Sequence, residues 1–88
     1  MAGVLPDHFS EQLVRERETG MGYQIVSVWL NDGRRFDQVV LTGGHVTQVR
    51  GYPEVPFEPL EVKRIKVTHK KWDFRGERED FKARGLIR

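Results

Sequence analysis

Residues 22–50 read GYQIVSVWLNDGRRFDQVVLTGGHVTQVR, and their alternation is the clearest indication of the fold in the chain. β-Branched and aromatic residues alternate with polar ones in three runs, which is typical of half-buried strands. Glycine-marked turns at residues 31–33 and 43–44 separate the runs. The pattern predicts three antiparallel strands, at residues 23–30, 34–42 and 45–50.

The turn Asn31-Asp32-Gly33 sets the register of the first hairpin. If it is a three-residue loop with Gly33 in the left-handed region, Val28 pairs with Phe36 and Trp29 pairs with Arg35. A two-residue loop would mix charged residues into both surfaces of the sheet. We therefore predict the three-residue loop, followed by a two-residue turn at residues 43–44.

This register assigns the side chains of the hairpins to two faces. One face carries Val26, Val28, Leu30, Phe36, Val40 and Val49. The other carries Tyr23, Ile25, Trp29, Val39, Leu41 and Val46 together with Arg35, Asp37 and Arg50, and Asp37 lies opposite Arg50. Because both faces are half apolar, we expect the second one to be covered by an N-terminal helix, by barrel closure or by a partner.

The flanking segments complete a small, mainly β fold (α+β by count). Residues 7–19 are predicted as a helix with an apolar stripe of Phe9, Leu13 and Val14. A proline-rich crossover follows the hairpins, residues 60–64 suit one helical turn, and residues 64–70 alternate as a fourth strand. We predict an antiparallel meander or SH3-like, partly open barrel of about four strands, with a poorly ordered C-terminal tail.

The domain organisation follows from the length and the C-terminal composition. A chain of 88 residues has room for one small core. We assign residues 1–76 to a single domain and residues 77–88 to a charged tail or a short helix anchored by Phe81.

Composition narrows the function classes. The chain has no Cys, which removes disulfides and thiolate chemistry. No apolar run approaches the roughly 20 residues of a membrane span, and the first ten residues do not resemble a signal peptide, so we expect a cytoplasmic protein without membrane contact.

The formal charge of +2 is unevenly distributed along the chain. Residues 1–60 hold 5 Lys/Arg and 8 Asp/Glu, for a net charge of −3, whereas residues 61–88 hold 10 and 5, for a net charge of +5. Such a chain either holds a polyanion at one end or pairs its own halves.

The sequence offers little for catalysis. His8, His45 and His69 lie in separate elements, without the spacing of a metal site. Ser10 and Ser27 are the only serines, and neither sits in a strand-to-helix elbow. We expect no cofactor, no metal and no enzymatic activity, with a small basic nuclease as a minor alternative.

The favoured function is therefore non-enzymatic binding through a sheet face. Aromatic and arginine side chains dominate protein interfaces, so a protein partner or a second copy of the chain is expected to dock on Tyr23, Trp29, Arg35 and Arg50. Burial of the aromatic residues under the N-terminal helix is the competing interpretation.

The alternative function is nucleic-acid binding through the basic segment 63–75. Cations for phosphates and flat rings for bases are interleaved there, in Lys63, Arg64, Lys66, Lys70, Lys71, Trp72 and Arg75. The competing interpretation is that the cations are the solvated side of an edge strand, where they also prevent aggregation.

Overall fold

A computed structural model describes residues 4–87, and the predictions for Met1 to Gly3 and Arg88 lie outside the described residues. Within that range the chain forms one four-stranded antiparallel sheet, two α-helices and two 3₁₀ turns. In chain order the elements are a 3₁₀ turn at Asp7–Phe9, α1 at Ser10–Arg15, β1 at Gln24–Leu30, β2 at Arg35–Thr42, β3 at His45–Val49, a 3₁₀ turn at Pro59–Glu61, β4 at Val62–Val67 and α2 at Phe74–Ala83.

The strands are arranged in the order β3-β2-β1-β4. The first three form the predicted meander, and β4 returns after the crossover to pair with β1. β3 and β4 are therefore the two edges of an open sheet, and the sheet does not close into a barrel. At the β4 edge, the Gln12 side-chain amide donates to the Ile65 carbonyl at 2.9 Å.

Both predicted turns are confirmed. Val28 pairs with Phe36 and Trp29 with Arg35, and Gly33 has a φ of +92°. At the second hairpin, Gly43 and Gly44 have φ values of +56° and +81°. Two central residues with positive φ are typical of a two-residue hairpin turn whose twist matches the flanking strands.

The predicted faces are wrong beyond the first turn, because each hairpin contains a β-bulge. Val26 pairs with Val39, so two residues of β2, at positions 37 and 38, lie opposite Ser27 alone. Since one extra residue reverses the alternation, Val39 joins Phe36 on one face instead of opposing it. In β3 the extra residue is Thr47, which places Val46 on the same face as Val49.

The bulges collect nearly all apolar strand residues on one face, here called the core face. The N-terminal segment and the crossover cover this face with Leu5, Phe9 and Phe57. The strand residues of this core are Val26, Val28, Leu30, Val39, Leu41, Val46, Val49, Val62 and Ile65.

The opposite face, here called the second face, carries Ile25, Ser27 and Trp29 of β1. The predicted pair of Asp37 with Arg50 does not form there, because the extra residue in β3 moves Arg50 opposite Gln38. Arg50 instead donates to the side-chain oxygen of Gln38 at 2.7 Å. Asp37 forms an ion pair with Arg35 at 2.8 Å.

The N-terminal helix is shorter than the predicted 7–19. It ends at Arg15, and Glu16 is already extended. Val14 is 84% exposed, so the predicted apolar stripe is too narrow to carry the helix further. The Gln24 side-chain amide lies 3.2 Å from the carbonyl oxygens of Leu13, Glu16 and Arg17, and it donates to carbonyls at and just beyond the end of the helix.

The C-terminal residues form helix α2 rather than a disordered tail. Asp73 caps the helix by accepting from the Gly76 N–H at 3.0 Å, and the helix begins at Phe74, three residues before the predicted start at residue 77. Phe81 is buried, as predicted for the anchor. The boundary predicted after residue 76 falls inside α2, and the two-part division of the chain stays a prediction.

Helix α2 and the chain leading to it cover part of the second face, in place of the predicted N-terminal helix. The side chain of Gln48, on β3, donates to the Phe74 carbonyl at 2.8 Å. Both carboxylate oxygens of Glu77 lie 3.1 Å from the Gly51 N–H. These bonds fix α2 beside β3. The part of the second face around Trp29, which is half-buried, stays open.

Candidate nucleic-acid interface

Trp29 is the centre of the open part of the second face. It lies on the central strand β1, where its neighbours across the sheet are Arg35 of β2 and Arg64 of β4. The guanidinium carbons of Arg35 and Arg64 lie 5.9 and 4.6 Å from the centroid of the Trp29 ring. These are cation–π distances, so the three side chains form one stacked unit.

The two arginines differ in how much charge they offer to a ligand. Arg35 is partly neutralised by its ion pair with Asp37. Arg64 has no ion pair within residues 4–87. Lys66 lies opposite Ser27 on the same side of β4, and its side chain is also exposed without an ion pair in the described chain. Positive charge is therefore concentrated on the β4 side of Trp29.

Residues 68–73, here called the crossing segment, carry this charge across the sheet. The Thr68 and His69 N–H groups donate to the Ile25 carbonyl, both at 3.1 Å. The Gln38 side-chain amide donates to the Lys70 carbonyl at 2.9 Å. The segment thus passes over β1 and β2 before α2 begins beside β3.

The predicted nucleic-acid residues lie on β4, on the crossing segment and at the start of α2. Apart from Trp72, all of them are exposed and none of them has an ion pair among residues 4–87. We call these six residues the cation row; they are Lys63, Arg64, Lys66, Lys70, Lys71 and Arg75.

Trp72 is placed differently from the rest of the predicted set. Its ring is half-buried and packs edge-on against Phe74 at a centroid distance of 5.7 Å. The buried indole N–H has no hydrogen-bond partner within the described residues. Both tryptophans are half-buried, but Trp72 packs against the first residue of α2, whereas Trp29 lies on the second face between Arg35 and Arg64.

The structure divides the predicted protein-docking patch. Trp29 and Arg35 are neighbours, but Tyr23 packs against Phe74 at a centroid distance of 5.0 Å. Arg50 lies on the far side of β2, where it is bonded to Gln38. Two of the four residues therefore share a surface with Arg64 and Lys66 of the alternative set, and two do not.

Three polar residues that hold the crossing segment and the start of α2 were not predicted as parts of the site. Gln48 holds Phe74, the first residue of α2, from β3, and Gln38 holds the crossing segment from β2. Thr19 holds its start, because its hydroxyl oxygen lies 2.6 Å from Nδ1 of His69 and accepts from the Ile25 N–H at 2.8 Å. A polar residue in an apolar run, such as Gln48, is the only signal that the sequence contains for this role.

Residues 4–87 contain no group of three or more His, Cys, Asp or Glu side chains that can hold a metal ion. None of the helices in this range has the length and apolar character needed to cross a membrane.

Comparison of the chain with protein-family models, with curated proteins and with solved structures finds no match.

Proposed function

We propose that the protein is a non-enzymatic binding module that holds single-stranded nucleic acid on the open part of its second face. One observation carries this proposal: the cation row, exposed and without ion pairs in the described chain, runs past Trp29 and across the sheet. Unpaired cations can neutralise phosphates and release the counterions that are condensed on the nucleic acid, and a flat ring beside them is a platform for a base.

The distribution of ion pairs supports a polyanionic ligand. If the basic C-terminal part were neutralised internally, its cations would pair with the acidic N-terminal part. Within residues 4–87 the only ion pair between these two parts joins Arg34 to Glu61, and its cation belongs to the acidic part. The net charge of the basic part is therefore available to a ligand.

The geometry favours a single strand over a duplex. Bases that are already unstacked can lie on Trp29 or on the guanidinium plane of Arg64, whereas the bases of a duplex are turned away from a flat surface. The predicted SH3-like relationship is not required for this function and stays a prediction, as do the absence of catalysis and the cytoplasmic location.

A protein partner or a second copy of the chain is the competing function. It rests on Tyr23, Trp29, Arg35 and Arg50, which the fold separates into two places. We therefore rank it below nucleic acid, and it is one outcome of the following test.

The test is a fluorescence-anisotropy titration of a labelled 12-nucleotide oligo(dT) at two salt concentrations. We expect binding that weakens with salt. The variant Arg64→Gln/Lys66→Gln/Lys70→Gln should bind more weakly, and the slope of log K against log salt should become shallower by about 2, since each phosphate contact on a single strand contributes about 0.7.

The matched control is Arg15→Gln/Lys82→Gln/Arg84→Gln, which removes the same charge from exposed residues that are already ion-paired. An equal loss in both triple variants would show that only net charge matters, and would contradict the proposed surface. Absence of oligonucleotide binding, together with self-association that Trp29→Ala abolishes in a folded protein, would establish the competing function instead.

A further inference from the structure

A cavity of about 350 Å³ opens between α2, the β2–β3 hairpin and the loop before β1. Its volume lies at the lower end of the range for small-molecule sites, about 300–1,000 Å³. The apolar walls include Tyr23, Val40 and Phe74, and the hydroxyl-bearing Thr42 also lines it. Arg75 and Arg78 of α2 complete the lining, so an apolar space is joined to two cations.

Both arginines are available to an anion. The guanidinium carbon of Arg75 lies 4.8 Å from the ring centroid of Phe74 and 5.7 Å from that of Tyr23. The side chain is thus positioned by aromatic rings and not by a carboxylate, which leaves its charge unneutralised. Arg78 follows one helical turn later and also has no ion pair among residues 4–87.

The acidic residues nearest in sequence are occupied elsewhere. Asp73 caps α2 by accepting from the Gly76 N–H. Glu77 lies between the two arginines in sequence but pairs with neither; both of its oxygens accept from the Gly51 N–H beside β3, and one also accepts from the Gln48 amide of the cavity lining at 3.4 Å. The cavity therefore has aromatic walls and two guanidinium groups, whose positive charges can together balance a phosphate dianion.

We propose that this cavity binds one nucleotide unit, with its phosphate on Arg75 and Arg78 and its base against Tyr23 and Phe74. Guanidinium groups match phosphate oxygens geometrically, and aromatic rings and guanidinium planes are common base-stacking surfaces. The unit is supplied either by a free nucleotide or by the phosphorylated end of a strand. The second source rests on the proposed function, because a strand on the cation row reaches the cavity through Arg75.

The test is an NMR titration of the full chain with uridine 5′-monophosphate. We expect saturable shifts of the amide signals of Thr42, Phe74 and Arg75, with affinity at least tenfold lower for uridine. Arg75→Gln/Arg78→Gln should lower the affinity for the monophosphate at least tenfold. The control Lys82→Gln/Arg84→Gln, which removes the same charge from ion-paired positions on α2, should not change it.

Arg78→Gln alone is the second variant, because Arg75 packs on two rings and its loss can disturb the fold. It should lower the affinity for uridine 5′-monophosphate by several fold while the amide dispersion is unchanged. Unchanged affinity in this folded variant, or no shift at the cavity with the monophosphate, would overturn the proposal.

Oligo(dT) with and without a 5′-phosphate distinguishes the two sources. Shifts at Thr42 and Phe74 that require the terminal phosphate identify a strand end, and shifts that only uridine 5′-monophosphate produces identify a free nucleotide. The variant Arg64→Gln/Lys66→Gln/Lys70→Gln should weaken oligonucleotide binding and leave monophosphate binding intact. If oligonucleotides do not bind but the monophosphate does, the proposed function fails and the cavity site stands.

Discussion

Gly33 closes the first hairpin in a backbone conformation that other residues rarely adopt. Its φ is +92°, and an added Cβ would meet no atom within 4 Å. The requirement for glycine is therefore conformational and not a matter of space. We expect Gly33→Val to lower the free energy of unfolding by about 1 kcal/mol or more, since a β-branched residue is strained at positive φ. Urea denaturation measures this change.

The control at this position is Gly33→Asn, because Asn tolerates the left-handed region better than Val does. It should be clearly less destabilising than Gly33→Val. Equal destabilisation by the two substitutions would show that the side chain, and not φ, is what the turn excludes.

Asp32 in the same turn has a lowered pKa. The main cause is its hydrogen bond from the Arg34 N–H at 3.1 Å, and the Arg34 side chain contributes a second bond at 2.8 Å. Because the folded-state pKa lies below the unfolded value, the carboxylate stabilises the fold above about pH 4, and this contribution is lost as the pH falls through the folded-state pKa.

We expect an NMR titration of Asp32 to give a pKa below the model-compound value of 3.8. Arg34→Ala should raise this pKa only in part, because the backbone N–H at position 34 stays in place. A value at or above 3.8 in the unsubstituted protein would contradict the hydrogen-bonded turn.

Among the features of the strands, the β-bulges are the ones that the sequence does not predict. The turn at Gly33 could be predicted because its loop length and its glycine fix the local register. The bulges contain ordinary residues such as Gln38 and Thr47, and no local pattern distinguishes them from paired strand residues. They form because they place Val39 and Val46 on the core face, which is a property of the packed sheet.

Deletion of Thr47 tests this role of the β3 bulge. Val46 and Val49 are three positions apart, so the extra residue is what keeps both on the core face, where each is 2% exposed. Without Thr47 they are two positions apart and share the core face by regular alternation. We expect the deletion to stay folded, as followed by amide dispersion and thermal melting.

Deletion of Ser27 is the control for the Thr47 deletion. It brings Val26 and Val28 to adjacent positions, so one of them must leave the core face, and it should abolish cooperative folding. An unfolded Thr47 deletion, or a folded Ser27 deletion, would show that the register is not fixed by the core.

Helix α2 contributes to stability through a single buried anchor. Phe81 is 8% exposed, whereas Leu86 just beyond the helix is 44% exposed. Phe81→Ala should lower the free energy of unfolding by about 3 kcal/mol, the lower end of the range for buried Phe. Leu86→Ala is the control and should change it by less than about 1 kcal/mol. Similar values for the two would mean that α2 is not docked in solution.

In the molecule as a whole, the candidate site consists of a basic segment and a tryptophan that the sequence shows, and of a contact between them that it does not show. The basic segment 63–75 was visible as charge, and Trp29 was visible as an aromatic residue on a charged face. Their contact depends on β4 returning to pair with β1, which places Arg64 over the Trp29 ring. Such long-range pairing leaves no signal in the local alternation, so the sequence alone predicts two separate surfaces.

The edge position of β4 has a consequence for self-assembly. An unpaired strand edge is a template for a second chain, and like charges on Lys63, Arg64 and Lys66 keep two such edges apart. A polyanion bound to these side chains would neutralise them and remove the repulsion. We expect light scattering to show a higher mean mass per protein when short oligo(dT) is added at low salt, and the free protein's mass to return when added salt releases the oligonucleotide. If the mean mass rises only by the mass of the bound oligonucleotide, charge repulsion is not what keeps the edges apart. Gln12, which is bonded to the Ile65 carbonyl, would then be sufficient to block the edge.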